Sequence, residues 1–194
     1  PAGEPENLLA AVALDTGEVT AVQRGADFYA FPRLDGAAER LAFLCWNHPH
    51  MPWDACELHV AELDADGAPS RTTRVAGGER EAIFQPAWSP KGELTFVSDR
   101  TGFFNLYRRA HDGEVTALCP MAADFAAPRW VFGLSTYAWL DENRILCLLQ
   151  QSGLWRLGVL DAESGRLQTV ESGLTELATA VAGPARVRFG SRLA

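Results

Sequence analysis

Gln85-Pro-Ala-Trp-Ser-Pro-Lys-Gly92, Glu93-Leu-Thr-Phe-Val-Ser98, Asp99-Arg-Thr-Gly102 and Phe103-Phe-Asn-Leu-Tyr-Arg108 follow one another without a break, and their reading decides the fold. They read as strand, turn, strand, turn, strand. Leu94, Phe96 and Ser98 fall on one face and Thr95 and Val97 on the other, the period-2 pattern of a pleated strand. Pro-Lys-Gly and Arg-Thr-Gly supply the turns, because Gly reaches positive φ at little cost and Pro presets φ near about −65°. Arg109-Ala-His-Asp-Gly113 and Glu114-Val-Thr-Ala117 close the unit with a fourth strand.

The same unit recurs along the chain. The first hairpin turn carries Asp35-Gly36, then Lys91-Gly92, then Glu142-Asn143, at spacings of 56 and 51 residues. The last turn of each unit has an acidic residue shortly before Gly: Asp15-Thr-Gly17, Asp64-Ala-Asp-Gly67, Asp112-Gly113 and Asp161-Ala-Glu-Ser-Gly165. Those glycines lie 50, 46 and 52 residues apart. Asp bonds its own backbone two residues on and Gly takes the left-handed position, so these are hairpin turns with a mechanism. A four-stranded repeat of roughly 40–50 residues is the pattern of a propeller blade. An irregular β-sandwich also repeats its turns, but does not make two turn types alternate.

The expectation is therefore an all-β chain, a partial β-propeller of four-stranded antiparallel blades, with about three full blades plus two half blades. The divisions are a half blade over 1–24, blades over 25–76, 77–120 and 121–172, and a half blade over 173–194. The first half supplies outer strands and the last supplies inner ones, so the chain reads as a fragment of a longer propeller. Leu174 to Ala180 has helical potential but fits a strand as well. The longest irregular stretches are Asn47 to Ala55 and Pro120 to Leu134, and such loops inside a compact repeat concentrate function.

Composition sets the outer bounds. Hydrophobic residues make up 47% and charged residues 22% of 194 residues, a globular mix. No apolar run approaches the roughly 20 residues of a membrane helix, and the acidic, polar start does not read as a signal peptide. A net charge of −8 argues against nucleic acid as a partner. Cys45, Cys56, Cys119 and Cys147 form no Cys-x-x-Cys pair, which fits a reduced, cytoplasmic protein without cofactors.

Trp46-Asn-His-Pro-His-Met-Pro-Trp-Asp54, Glu81-Ala-Ile-Phe-Gln-Pro-Ala-Trp-Ser-Pro-Lys-Gly92, Ser98-Asp-Arg-Thr-Gly102, Asn105-Leu-Tyr107 and Pro128-Arg-Trp-Val-Phe-Gly-Leu-Ser-Thr-Tyr137 carry a resemblance over roughly residues 25–170. Together they resemble the N-terminal β-propeller of bacterial serine peptidases of the prolyl oligopeptidase family, nearest its acylaminoacyl-peptidase and dipeptidyl-aminopeptidase-like branch. The family pattern has Asp where this chain has Asn47, and Asn where it has His50. The resemblance implies a partner α/β-hydrolase domain with a Ser-Asp-His triad, short peptide substrates, and a role in gating and selecting them. No Gly-x-Ser-x-Gly elbow occurs in these residues, so the chain alone is expected to be inactive.

Six residues are candidates for substrate contact. Trp46, His48, Trp53 and Asp54 lie on one loop, as aromatic walls plus a carboxylate for a peptide amine; the same loop equally reads as packed on its own aromatics. Glu81 and Gln85 flank the innermost strand of a blade, where a channel-facing role stands beside that of a solvated wall. Cys45, His48, His50, Cys56 and His59 fit no common zinc module, and no metal is expected from them. The alternative function is a stand-alone propeller serving as a protein-binding scaffold. Unpaired edges of the two half blades favour association between copies.

Overall fold

The computed structural model describes residues 5–128, 130–174, 176–183 and 186–190. Sixteen strands and no helix are found among them. They form three four-stranded antiparallel sheets and two two-stranded ones. β1 (Leu9–Val12) pairs with β2 (Val19–Gln23). β3 (Phe28–Leu34), β4 (Arg40–Trp46), β5 (Glu57–Leu63) and β6 (Pro69–Gly77) follow one another in one sheet. β7 (Ile83–Trp88), β8 (Leu94–Ser98), β9 (Asn105–Arg109) and β10 (Val115–Ala117) form the next. β11 (Tyr137–Trp139), β12 (Arg144–Gln151), β13 (Leu154–Asp161) and β14 (Leu167–Val170) form the third. β15 (Thr179–Gly183) and β16 (Arg186–Gly190) close the series. Every connection within a sheet is a hairpin or meander, as blades of a partial β-propeller require.

The turns work as their residues dictate. Asp64 Oδ1 accepts from the amide of Asp66 at 3.0 Å, Asp112 Oδ1 from Glu114 at 3.0 Å, and Asp161 Oδ1 from Glu163 at 3.2 Å. Gly67, Gly113 and Gly165 follow with φ of 78°, 93° and 69°, in the region that L-residues avoid. The first hairpin of each blade has a matching device. Asp35 Oδ1, Ser89 Oγ and Asp141 Oδ1 accept from the amides of Glu39, Glu93 and Asn143 at 2.9, 3.1 and 3.0 Å.

The chain divides into two compact units, residues 1–83 and 84–194. In the first, Leu41, Phe43 and Ala61 form a buried cluster, onto which Leu9 and Val22 of the β1–β2 hairpin pack. In the second, Leu146, Leu148 and Leu157 are buried with Leu177 and Ala180. Within the stretch from Leu174 to Ala180 that reads as helix or strand by sequence, β15 begins only at Thr179, and Leu177 plugs this core from irregular chain just ahead of it.

The second unit also holds a buried polar seam between the β7–β10 and β11–β14 sheets. Tyr137, 1% exposed, donates its hydroxyl proton to the carbonyl of Gln85 (2.7 Å) or of Thr95 (3.0 Å). Trp139 Nε1 donates to Thr95 Oγ1 at 3.1 Å. Buried donors find acceptors here, as the low dielectric demands.

Candidate functional site

The first unit carries a cavity of about 570 Å³ lined by Glu6, Asn7, Asp27, Phe28 and His48, among others. Its aromatic wall follows from strand register. Phe28 opens β3 directly opposite Trp46, the last residue of β4, and their rings stack at 5.3 Å with an interplanar angle of 18°. His48, two residues further on, sets its ring edge-on to Phe28 at 4.9 Å and 73°.

Asp27 ties the loop to the strand. Its Oδ2 accepts from the His48 amide at 2.8 Å, and its own amide donates to Asn47 Oδ1 at 2.7 Å. Asn7 Nδ2 donates to the Asp27 carbonyl at 2.6 Å. Glu6 adds a second carboxylate, paired with Arg24 at 2.6 Å in a bridge whose side chains are more than half exposed. Solvent screens such an exposed pair strongly. The lining thus offers ring faces and carboxylate oxygens side by side, the chemistry that suits a cation carrying an apolar group.

The six candidates fall into different settings. Trp46 and His48 meet over Phe28. Trp53 is half-buried in the following turn, and Asp54 is exposed there, its amide donating to the Met51 carbonyl at 2.9 Å. Glu81 braces a hairpin: Oε2 accepts from the Gly77 amide at 3.1 Å, and its carbonyl accepts from the Cys56 amide at 3.1 Å. Gln85, in the other unit, is buried at 6% exposure. Its Nε2 donates to the Tyr137 carbonyl (2.7 Å) and Ser135 Oγ (3.0 Å), and its Oε1 accepts from the Thr136 amide (2.7 Å). Both ends of that amide are engaged inside the seam.

Asp27, Phe28 and Glu6 escaped the sequence reading. Asp27 and Phe28 lie about 20 residues before the aromatic loop and reach it through the β3–β4 pairing, a register that residue spacing does not show, and Glu6 lines the cavity from the segment ahead of β1. The irregular stretch after Pro120 is partly core: Phe125 is fully buried, whereas Trp130 and Phe132 are 74% and 76% exposed.

No family model and no curated protein matches the sequence. Solved structures do. A puromycin hydrolase is 35% identical, with a TM-score of 0.82, over 90% of this chain and 27% of its own. A puromycin-hydrolyzing peptidase of Mycobacterium tuberculosis is 36% identical, with a TM-score of 0.78, over 85% of this chain and 25% of its own. Prolyl oligopeptidase B from Galerina marginata shares the fold at a TM-score of 0.69 and 12% identity, over 90% of this chain and 24% of its own. The chain spans about a quarter of the length of these proteins. Blade architecture and strand order agree with these likenesses, and the chain resembles a portion of the N-terminal β-propeller of prolyl oligopeptidase family peptidases.

Proposed function

We propose that this chain is the non-catalytic propeller portion of a serine peptidase acting on short peptides and aminoacyl amides. In this reading it gates and selects substrate for an α/β-hydrolase domain that carries the nucleophile. The cavity that sets Phe28 and His48 beside the carboxylates of Asp27 and Glu6 carries the proposal. A free α-amine is a cation, and a ring next to it needs an apolar wall; the cavity supplies both. Identity of 35–36% to two puromycin hydrolases makes puromycin, an amide of an aromatic amino acid with a free amine, a fitting probe. The resemblance of the His48-Pro-His-Met-Pro-Trp-Asp54 segment supports a reading nearest the acylaminoacyl-peptidase and dipeptidyl-aminopeptidase-like branch. Four free thiols suit a cytoplasmic setting.

The test uses the propeller joined to the hydrolase segment of its parent. Asp27→Asn raises KM for amides with a free α-amine about tenfold, or about 1.4 kcal/mol, and leaves N-acylated amides unchanged. Equal effects on both substrates would refute the amine role. Amide turnover by the 194-residue chain alone would refute the non-catalytic one.

A further inference from the structure

A different cluster of chemistry-bearing groups sits on the β4–β5 pairing of the first unit. Cys45 and Glu57 are direct cross-strand partners, and His59 follows Glu57 by two residues, so all three project from one face. Cys45 Sγ, a Glu57 oxygen and a His59 ring nitrogen all lie within 4.8 Å of one another. His59 Nε2 and Glu57 Oε2 are 2.8 Å apart. The remaining oxygen, Glu57 Oε1, accepts from Arg74 Nη1 at 2.9 Å. The His59 ring stacks on Phe43, its cross-strand partner, at 5.6 Å and 15°. The carboxylate and the ring plane are therefore held from outside the cluster, as metal ligands are. Side chains of His59 and Glu57 are 20% and 35% exposed, which leaves a path for an ion and a water.

We propose that Cys45, Glu57 and His59 form a three-ligand site for a divalent transition ion, zinc foremost, with the fourth position open to water. Thiolate, imidazole and carboxylate are the donors zinc takes. With bonds of about 2.0–2.3 Å and tetrahedral angles, the donor atoms stand about 3.4–3.6 Å apart. The His59–Glu57 pair, at 2.8 Å, must open by roughly half an ångström, and the thiol, within 4.8 Å of both, must close by at most about 1.4 Å, movements within reach of side-chain torsions. Thiolate and carboxylate together neutralise the ion, which matters on a half-buried face.

The protons balance. Burial first, then the nearby Glu57 and Cys56, push the Cys45 thiol up to about 12, so it carries its proton when the site is empty. On binding, the S–H bond breaks, the S–metal bond forms, and that proton leaves to solvent. The ion enters between His59 Nε2 and Glu57 Oε2 and takes the Nε2 lone pair, so a proton carried on that nitrogen leaves to solvent with the thiol's. Spacing of histidines and cysteines alone misses this set, because Glu57 supplies a ligand and only the strand pairing brings Cys45 to it.

Cobalt titration of the chelator-treated 194-residue chain tests the site. One equivalent of Co²⁺ produces a thiolate-to-cobalt charge-transfer band with tetrahedral visible bands, and one equivalent of Zn²⁺ bleaches both. Cys45→Ser abolishes the charge-transfer band. Glu57→Gln and His59→Gln weaken Co²⁺ binding about tenfold or more, and Cys119→Ser changes nothing. Circular dichroism checks that each variant keeps its sheet content; if Cys45→Ser does not fold, the native chain and Glu57→Gln still decide. No charge-transfer band in the native chain at millimolar Co²⁺, an unchanged band in folded Cys45→Ser, or undiminished affinity in Glu57→Gln overturns the proposal.

Discussion

Gln85 gives the sharpest test of how the second unit holds together. Replacing it with Ala removes the acceptor of the buried Thr136 amide and the Nε2 bonds to Tyr137 and Ser135. The single Ser135 hydroxyl proton has a nearer acceptor in the Ala180 carbonyl (2.7 Å) than in the Tyr137 carbonyl (3.2 Å), so the Thr136 N–H loses its acceptor and the Tyr137 carbonyl its 2.7 Å bond. An orphaned buried donor costs about 1–3 kcal/mol, and loss of the other bonds brings the total to about 2–4 kcal/mol. A second variant separates bonding from backbone. Gln85 sits at φ 47°, where a Cβ is strained. Gln85→Gly loses the same bonds but relieves that strain, so it is expected to be more stable than Gln85→Ala by about 1 kcal/mol, against the usual ranking inside strands. Urea unfolding followed by circular dichroism measures both. A Gln85→Ala midpoint within about 0.5 kcal/mol of the native protein refutes the bonding account. A glycine variant less stable than the alanine one refutes the strain account.

Three further outcomes follow from the geometry. Gly77→Ala should destabilise by at least about 2 kcal/mol, since its Cβ would meet the Cys56 carbonyl and the Glu57 Cα; Gly67→Ala, in open space, should cost about 1 kcal/mol, and thermal melts compare them. Tyr137→Phe should cost about 1–2 kcal/mol in the same melts, through loss of the buried hydroxyl bond to the Gln85 or Thr95 carbonyl. For Asp35, burial pushes the carboxyl upward, but the Arg40 guanidinium and the Arg40 and Glu39 amides outweigh it and hold it below the usual value. Its stabilisation is therefore complete above the unfolded carboxyl's pKa and is lost as pH falls through the lower folded one. Asp35→Asn should lower the urea midpoint at pH 7, and the gap to the native protein should shrink at pH 3. A constant gap would rule out the charge.

Most of the architecture was legible because turn chemistry is local. Asp and Gly at the hairpin ends announce their own backbone bonds, and alternation inside Leu94–Ser98 needs no distant partner. The site was legible only in part. Trp46 and His48 stood out as a loop cluster, but Asp27 joins them through strand pairing, which no local pattern encodes. Gln85 illustrates the opposite limit. Its place on the first strand of a blade was visible, but its side-chain direction depends on a left-handed residue inside a strand, for which Gln carries no signal.

Phe31 and Gln85 share an unannounced likeness. Each is left-handed, at φ 51° and 47°, and each lies four residues ahead of the residue, Asp35 or Ser89, whose side chain accepts from the first hairpin. One is an aromatic and the other an amide, so these two blades share the contour without sharing the residue, whereas Tyr137, four residues ahead of Asp141 in the third, does not adopt it. Alignments built on residue identity will therefore underrate the kinship of these two modules, whereas torsion angles preserve it. Grafting one module's first strand into another should succeed when that contour is kept, even with few letters in common.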